Sequence, residues 1–239
     1  MNILLIAGHG GTDPGATAFN YKESELARDL VPKIENELKK YGVNVTIYDV
    51  NSSAYRDIIT NGKAYNFKPY DYVLEIHFNA YTKSVFDNKI KGSEIYVTTS
   101  EKIITVEEAI LKNMKAIGFT NRGVKKKNMS VIYEAKKQGV SGALMEVCFI
   151  DDQDDLNVYM FKKNEVAKAI ADGIATGYKL TIKEEKKTDL SGHWAEKECL
   201  YVVDGGIMSF DSNGNFNPDK TLTRAEAAVI AYRILNKTK

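Results

Sequence analysis

The chain has 239 residues, 44% hydrophobic and 27% charged, an ordinary globular make-up with room for one sizeable domain and a small one. Its 33 basic and 32 acidic residues leave a net charge of +1, so no overall field favours nucleic acid, and any anionic polymer would need a dedicated pocket. There is no run of about 18 apolar residues to span a membrane. Met1-Asn2 leads directly into an apolar stretch, so the expectation is synthesis in the cytoplasm without a signal peptide and without a membrane partner.

The apolar run Ile3 to Ala7 reads as a strand, and it ends in Gly8-His9-Gly10-Gly11-Thr12-Asp13-Pro14-Gly15-Ala16. Glycines on both sides allow tight bends and close backbone approach, which lets the strand's end present the imidazole of His9. From Ser24 to Lys40, Leu26, Leu30, Ile34 and Leu38 recur every four residues as one helical face, with Gly42 as a stop and Pro32 expected to kink or offset the helix. A strand over 43–48 follows, then a helix over 54–65 and a second apolar strand, 72–78, ending in His77-Phe78-Asn79-Ala80. Residues 93–99 alternate as a strand, and 106–117 carry Ala109, Ile110 and Met114 inward on a helix. The run Lys125-Lys126-Lys127 reads as a solvated turn in preference to a substrate-contact patch.

Two more strands are expected, over 131–133 and over 142–150, the second apolar on both faces as in a central parallel strand. Glu146 interrupts it, and a carboxylate there must be paired, metal-bound or doing chemistry at the strand's open end. A helix from Val166 to Tyr178 closes this part. Residues 181–188 form a charged linker, and 189–239 read as helix, turn, loop, helix, with Thr223 and Glu226 forming a capping box for the last. Asp211 to Asn215 lacks the ligand set of a calcium loop and reads as a plain turn. Cys148 and Cys199 fall in separate parts without metal-site spacing and read as buried thiols.

Strands alternating with helices imply an α/β sandwich with a mostly parallel sheet, whose sites lie at strand carboxyl ends. His9 and His77 both fall there. A catalytic zinc site takes three ligands from His, Glu and Asp and leaves the fourth position to water. Glu23 is the candidate third ligand, and Glu25 competes on spacing alone. Glu146 suits a general acid/base that takes a proton from water and returns it to a leaving nitrogen. Asn79 and the Gly10-Gly11 backbone are candidates for positioning substrate.

These residues resemble the zinc-dependent N-acetylmuramoyl-L-alanine amidases of bacterial cell-wall hydrolases and phage endolysins, over roughly residues 1–180. Gly8 to Ala16 resembles the family's first-ligand motif, Glu23-Ser24-Glu25-Leu26 its Glu-Lys-Asp-Leu segment, and Ile76 to Ala80 its second-histidine strand. Leu144 to Ile150 resembles its Leu-Val-Glu-Leu-Gly-Phe-Ile strand, with Cys148 in place of the usual Gly and Asp151-Asp152 in place of Ser-Asn. The resemblance implies a three-layer sandwich of phosphorylase/hydrolase type, zinc on His9, Glu23 and His77, and Glu146 as acid/base. It also implies hydrolysis of the amide between N-acetylmuramic acid and L-alanine of peptidoglycan, as an endolysin or autolysin. Alternatives are a zinc exopeptidase acting on wall peptides and a non-catalytic wall-binding protein.

Residues 189–239 are similar to one S-layer homology module. Asp189 to Ala195 resembles its opening Asp-x-x-x-His-Trp-Ala, Gly214 to Pro218 its Gly-x-Phe-x-Pro, and Thr223 to Glu226 its Thr-Arg-Ala-Glu. The resemblance implies a helical module binding an anionic secondary wall polymer. Arg224 would offer a donor fork for an acidic sugar and Trp194 a face for its ring; the alternative makes Trp194 core and Arg224 a structural ion pair. Such modules usually come in threes, so either one copy suffices or two or three chains pool theirs in an oligomer.

Overall fold

The computed structural model describes residues 1–81, 87–182 and 188–237. The chain forms two compact units, Met1–Lys183 and Glu184–Lys239. Most of the expected charged linker, residues 183–187, lies outside the described residues.

The first unit is built on a six-stranded sheet. In chain order its elements are β1 (Asn2–Ala7), a small hairpin of β2 (Thr17–Ala18) and β3 (Tyr21–Lys22), α1 (Glu23–Lys39), β4 (Asn44–Ile47), β5 (Tyr72–Asn79) and β6 (Ser93–Val97). There follow α2 (Thr105–Ala116), β7 (Asn121–Lys126), α3 (Ser130–Lys137), β8 (Ser141–Phe149), α4 (Gln153–Phe161) and α5 (Lys163–Tyr178). The sheet order is β4-β1-β5-β8-β6-β7. β4, β1, β5 and β8 run parallel, as do β6 and β7, and the pair β6/β8 is antiparallel. The sheet is therefore mostly parallel, as expected, but its antiparallel junction brings the amino ends of β6 and β7 to the edge where β1, β5 and β8 finish.

Alternation along each strand sorts side chains between two faces. Leu5 of β1, Leu74 and Ile76 of β5, Met145 and Val147 of β8 and Ile95 of β6 bury against α1, α2 and α5. Leu26, Leu30, Ile34 and Leu38 form the inward stripe of α1, each contributing about 1.5–3 kcal/mol by leaving water. On the other face Leu4, Ile6 and Val73 pack against Val131 and Ala135 of α3 with Tyr48, Ala54 and Phe67. Position parity places Glu75, His77, Glu94 and Glu146 on this second face, at the end beyond its apolar cluster.

Four expectations are corrected. Residues 131–133 belong to α3 and form no strand; their β-branched composition suggests a strand, but Val131, Ile132 and Ala135 bury together at helical spacing. Lys125 and Lys126 end β7, so the basic run is no solvated turn. The expected helix over 54–65 shrinks to one wide π-type turn, Tyr55–Thr60, because this stretch lacks a continuous apolar stripe. Cys199 is only half-buried, whereas Cys148 is fully buried, and both thiols are free. α1 runs unbroken through Pro32, and α4 was not anticipated from the sequence.

The second unit contains α6 (Glu196–Asp204) and α7 (Arg224–Lys237). Its capping box forms: Thr223 N–H donates to Glu226 Oε2 at 2.8 Å and Glu226 N–H to Thr223 Oγ1 at 3.2 Å. Asp189 holds the distant loop by accepting from Phe216 N–H at 2.8 Å. Asp211 Oδ1 accepts from Asn213 and Asn215 N–H, both at 2.9 Å, closing a turn on itself. Among the described residues no helix is long and apolar enough to cross a membrane.

Candidate metal centre

Three segments converge at the carboxyl edge of β1 and β5. Beyond β1 the chain turns sharply, and His9 adopts φ 58°, a left-handed conformation costing a non-glycine residue about 1–2 kcal/mol. Gly8 precedes it because the His77 ring lies against its Cα: a Cβ there would stand 2.6 Å from His77 Nδ1. The loop then returns to start α1, Ser24 N–H donating to Pro14 O at 3.0 Å and Glu23 N–H to Ala16 O at 2.9 Å. These bonds satisfy the helix's first donors, which no side chain caps. They also bring Glu23 beside His9.

His9 Nε2 lies 3.1 Å from Glu23 Oε2 and His77 Nδ1 lies 2.8 Å from Glu23 Oε1. One ligand atom from each of the three residues fits within 4.8 Å of the others. Glu25, the competing carboxylate, points away and pairs with Lys22 at 2.7 Å. The remote nitrogens of both imidazoles face further carboxylates. His9 Nδ1 bonds Asp13 Oδ2 at 2.8 Å, and His77 Nε2 faces Glu75 Oε1 at 3.2 Å, off the line of a hydrogen bond. A carboxylate behind a ligating histidine fixes its tautomer and raises its basicity. Burial pushes the Glu23 carboxyl up, but hydrogen bonds from His77 and His9 outweigh this and hold it well below the usual range.

Glu146 stands directly opposite His77 in the β5/β8 register. Its Oε2 is buried and has no partner among the described residues. Burial pushes this carboxyl up to about 7, against the pull of His77 and with the nearby charges of Glu23, Glu94 and Glu75 adding to the rise. An ionisable group with that proton affinity can accept and release a proton at neutral pH.

The remaining candidates scatter. Asn79 donates to Glu94 Oε1 at 3.1 Å and caps Ala80 N–H, so its amide belongs to the network around Glu94. Gly10 and Gly11 line a cleft of about 520 Å³ with Thr12, Lys22, Arg28 and Asn51. In the second unit Trp194 is 89% exposed, which removes the core alternative. Arg224 is also exposed. Neither lines that unit's cleft of about 520 Å³, formed by Val202, Met208, Phe210, Phe216 and Leu222 among others.

Sequence reasoning missed Arg28, the residue that secures the His9 turn. Its guanidinium donates to the carbonyls of Gly8, His9, Ser24, Val50 and Ser52 at 2.7–3.0 Å. Five bonds exhaust its donors. Its trace in the sequence is a cation flanked by Ala27 and Asp29 next to the apolar stripe of α1. Arg28→Met is expected to lower stability by about 3 kcal/mol, by stranding carbonyls, and the affinity of this centre for a metal ion about 10- to 100-fold, by releasing His9. Urea melts and a competitive zinc titration check the two effects separately.

Comparison with known proteins matches the sequence to a family. The sequence pattern of N-acetylmuramoyl-L-alanine amidases covers residues 3–176. The chain belongs to that amidase family. The S-layer homology pattern matches residues 188–228. The amidase is 29% identical over 195 residues to the endolysin of Bacillus phage SPP1, covering 78% of this chain and 68% of the phage protein. It is also 29% identical over 238 residues to the amidase CwlM of Bacillus licheniformis, covering 98% and 85% of the two chains. A 46-residue stretch, 19% of the amidase, is 44% identical to 5% of the S-layer protein EA1 of Bacillus anthracis. Among solved structures, the amidase AmiC2 of Nostoc punctiforme shares the fold at a TM-score of 0.61 and 20% identity, over 75% of this chain and 97% of that one. The amidase is a peptidoglycan hydrolase whose reaction opens the amide between N-acetylmuramic acid and L-alanine, and its first unit has the mixed α/β frame of its structural neighbours.

Proposed function

We propose that His9 Nε2, Glu23 and His77 Nδ1 hold zinc and that Glu146 is the acid/base of the amide hydrolysis. The supporting observation is the convergence of two imidazoles and one buried carboxylate within 4.8 Å, a donor set that suits zinc with one position left open. Bound zinc would lower the pKa of its water to about 7 and polarise the scissile carbonyl. Glu146, facing His77 from the next strand, takes the proton of the attacking water on its unpartnered Oε2 and passes it to the alanine nitrogen as the C–N bond breaks. Asp13 holds His9 in the Nδ1–H form, which leaves Nε2 to the metal.

Residues 1–180 then form the catalytic domain, 181–188 the linker and 189–239 the wall-binding module. We read that module as the anchor to an anionic secondary wall polymer, with Arg224 and Trp194 supplying a donor fork and a ring face. On this reading the protein acts at the cell wall as an endolysin or autolysin, alone or as an oligomer that pools its single modules.

End-group analysis of digested Gram-positive walls tests the chemistry. New amino-terminal L-alanine is expected with the zinc-loaded protein, none after chelation, and recovery on adding zinc back. Amino acids released from peptide ends would put an exopeptidase in its place, and binding without release would leave a wall-binding protein.

A further inference from the structure

The row of side chains containing His77 and Glu146 continues past them. Glu94 faces Glu146 across β6/β8, and a bulge in the β6/β7 pairing leaves Arg122 and Gly123 opposite Glu94. Arg122 Nε donates to Glu94 Oε2 at 2.7 Å, and Lys125 Nζ reaches the same oxygen at 2.5 Å. The other oxygen accepts from Tyr96 OH at 2.8 Å and Asn79 Nδ2 at 3.1 Å. Glu94 is 2% exposed, so this carboxylate is enclosed and fully used.

One negative charge thus stands between two cations, leaving an excess positive charge beside Glu146. Arg122 spends one of five N–H donors on Glu94 and Lys125 one of three, and their side chains are 27% and 39% exposed. Arg122 is also held from its face: its guanidinium lies 4.9 Å from the Phe149 ring centroid, and Tyr81 stacks on that ring at 4.6 Å. A guanidinium fixed by a carboxylate at its edge and a ring at its face is a preorganised fork for a second carboxylate. Lys126, on the opposite parity, turns away to the Glu101 carbonyl at 3.0 Å. Only alternate members of the basic stretch serve this corner.

We propose that Arg122 and Lys125 form a carboxylate subsite that recognises an acidic group on the peptide side of the scissile amide. The inference rests on the amidase reading above. The muramoyl side spends its carboxyl in the amide being cut and otherwise offers hydroxyls and an acetamide, so a carboxylate near the bond belongs to the stem peptide. Glu94 is a positioning residue that aims the two cations.

The test uses two soluble substrates, N-acetylmuramoyl-L-alanyl-D-glutamate with its γ-carboxyl blocked as the amide and its α-carboxyl free, and the same compound with both carboxyls amidated. The parent protein is expected to favour the free acid about tenfold in kcat/KM, with the difference in KM and fading at high salt. In Arg122→Lys and in Lys125→Gln, each of which leaves Glu94 a cation, the ratio is expected to fall toward one. A ratio near one in the parent, or a preference surviving in both variants, overturns the subsite while the amidase reading stands. Failure to open the muramoyl–alanine bond in either substrate overturns that reading, and the subsite falls with it.

Discussion

Glu146→Gln is expected to lower kcat on peptidoglycan by about a thousandfold, the scale of a lost general acid/base, while zinc uptake stays intact. Glutamine fills the same space opposite His77 but can neither take nor return a proton. The variant also carries a stability signature of the opposite sign. The folded carboxyl holds its proton up to about 7, whereas an unfolded glutamate titrates near about 4.3. The raised folded value means that stability is complete below the unfolded value and erodes as pH climbs from there to about 7. The metal-free variant is therefore expected to exceed the metal-free parent at pH 8 by on the order of 3 kcal/mol, the gap closing toward pH 4. Urea melts at both pH values measure it; equal stability at pH 8 would show that burial does not hold the Glu146 carboxyl protonated.

Glu23→Ala is expected to abolish metal binding, a loss of at least about a hundredfold in zinc affinity, and to cost about 3 kcal/mol even without metal. Glu23 is 4% exposed, and it accepts from His77 Nδ1 at 2.8 Å and from Phe78 and Ala16 N–H at 3.0 Å. Removing it strands two backbone donors and leaves two imidazoles facing each other with ring centroids 4.9 Å apart. Its depressed pKa has the ordinary acidic sign, so its stabilisation is present at neutral pH and is lost as pH falls below the unfolded value. Glu25→Ala, at an exposed position paired with Lys22, is expected to change stability by less than about 0.5 kcal/mol. Zinc titration of the two variants side by side separates the two carboxylates that spacing left in competition; retained affinity in Glu23→Ala would remove it from the ligand set.

What the sequence revealed about this centre depended on residues that break a pattern. His9 among glycines, His77 at a strand end and Glu146 inside an apolar run each violate the local rule for burial, and the structure gathers all three. Glu75 and Glu94 break the rule in the same way and went unread, because nothing in linear order shows that they share the His77 face. That depends on strand parity and on β8 lying between β5 and β6. Arg28 was hidden for another reason: an arginine on a helix is unremarkable until the carbonyls it collects, from residues up to 24 positions away, are brought round it. Within the fold, periodicity located β1, β5, β8, α1 and α5. It failed where composition and period disagreed, as at Val131-Ile132-Tyr133, and where the segment was short, as at Tyr55–Thr60.

The order of the sheet also governs when the enzyme can exist. β8 is the last strand made in the first unit, yet it lies between β5 and β6. Until residue 149 is available, those two strands expose unpaired edges, and the sheet is two separate ribbons, β4-β1-β5 and β6-β7. Closing them requires the long-range pairing that makes folding slow and leaves bare strand edges open to association with other chains. Because β8 carries Glu146, the event that seals those edges also delivers the residue proposed as the acid/base. On the roles proposed above, a chain that stops short of β8 carries His9, Glu23 and His77 but not Glu146, so hydrolytic capacity is expected only with completion of the sheet.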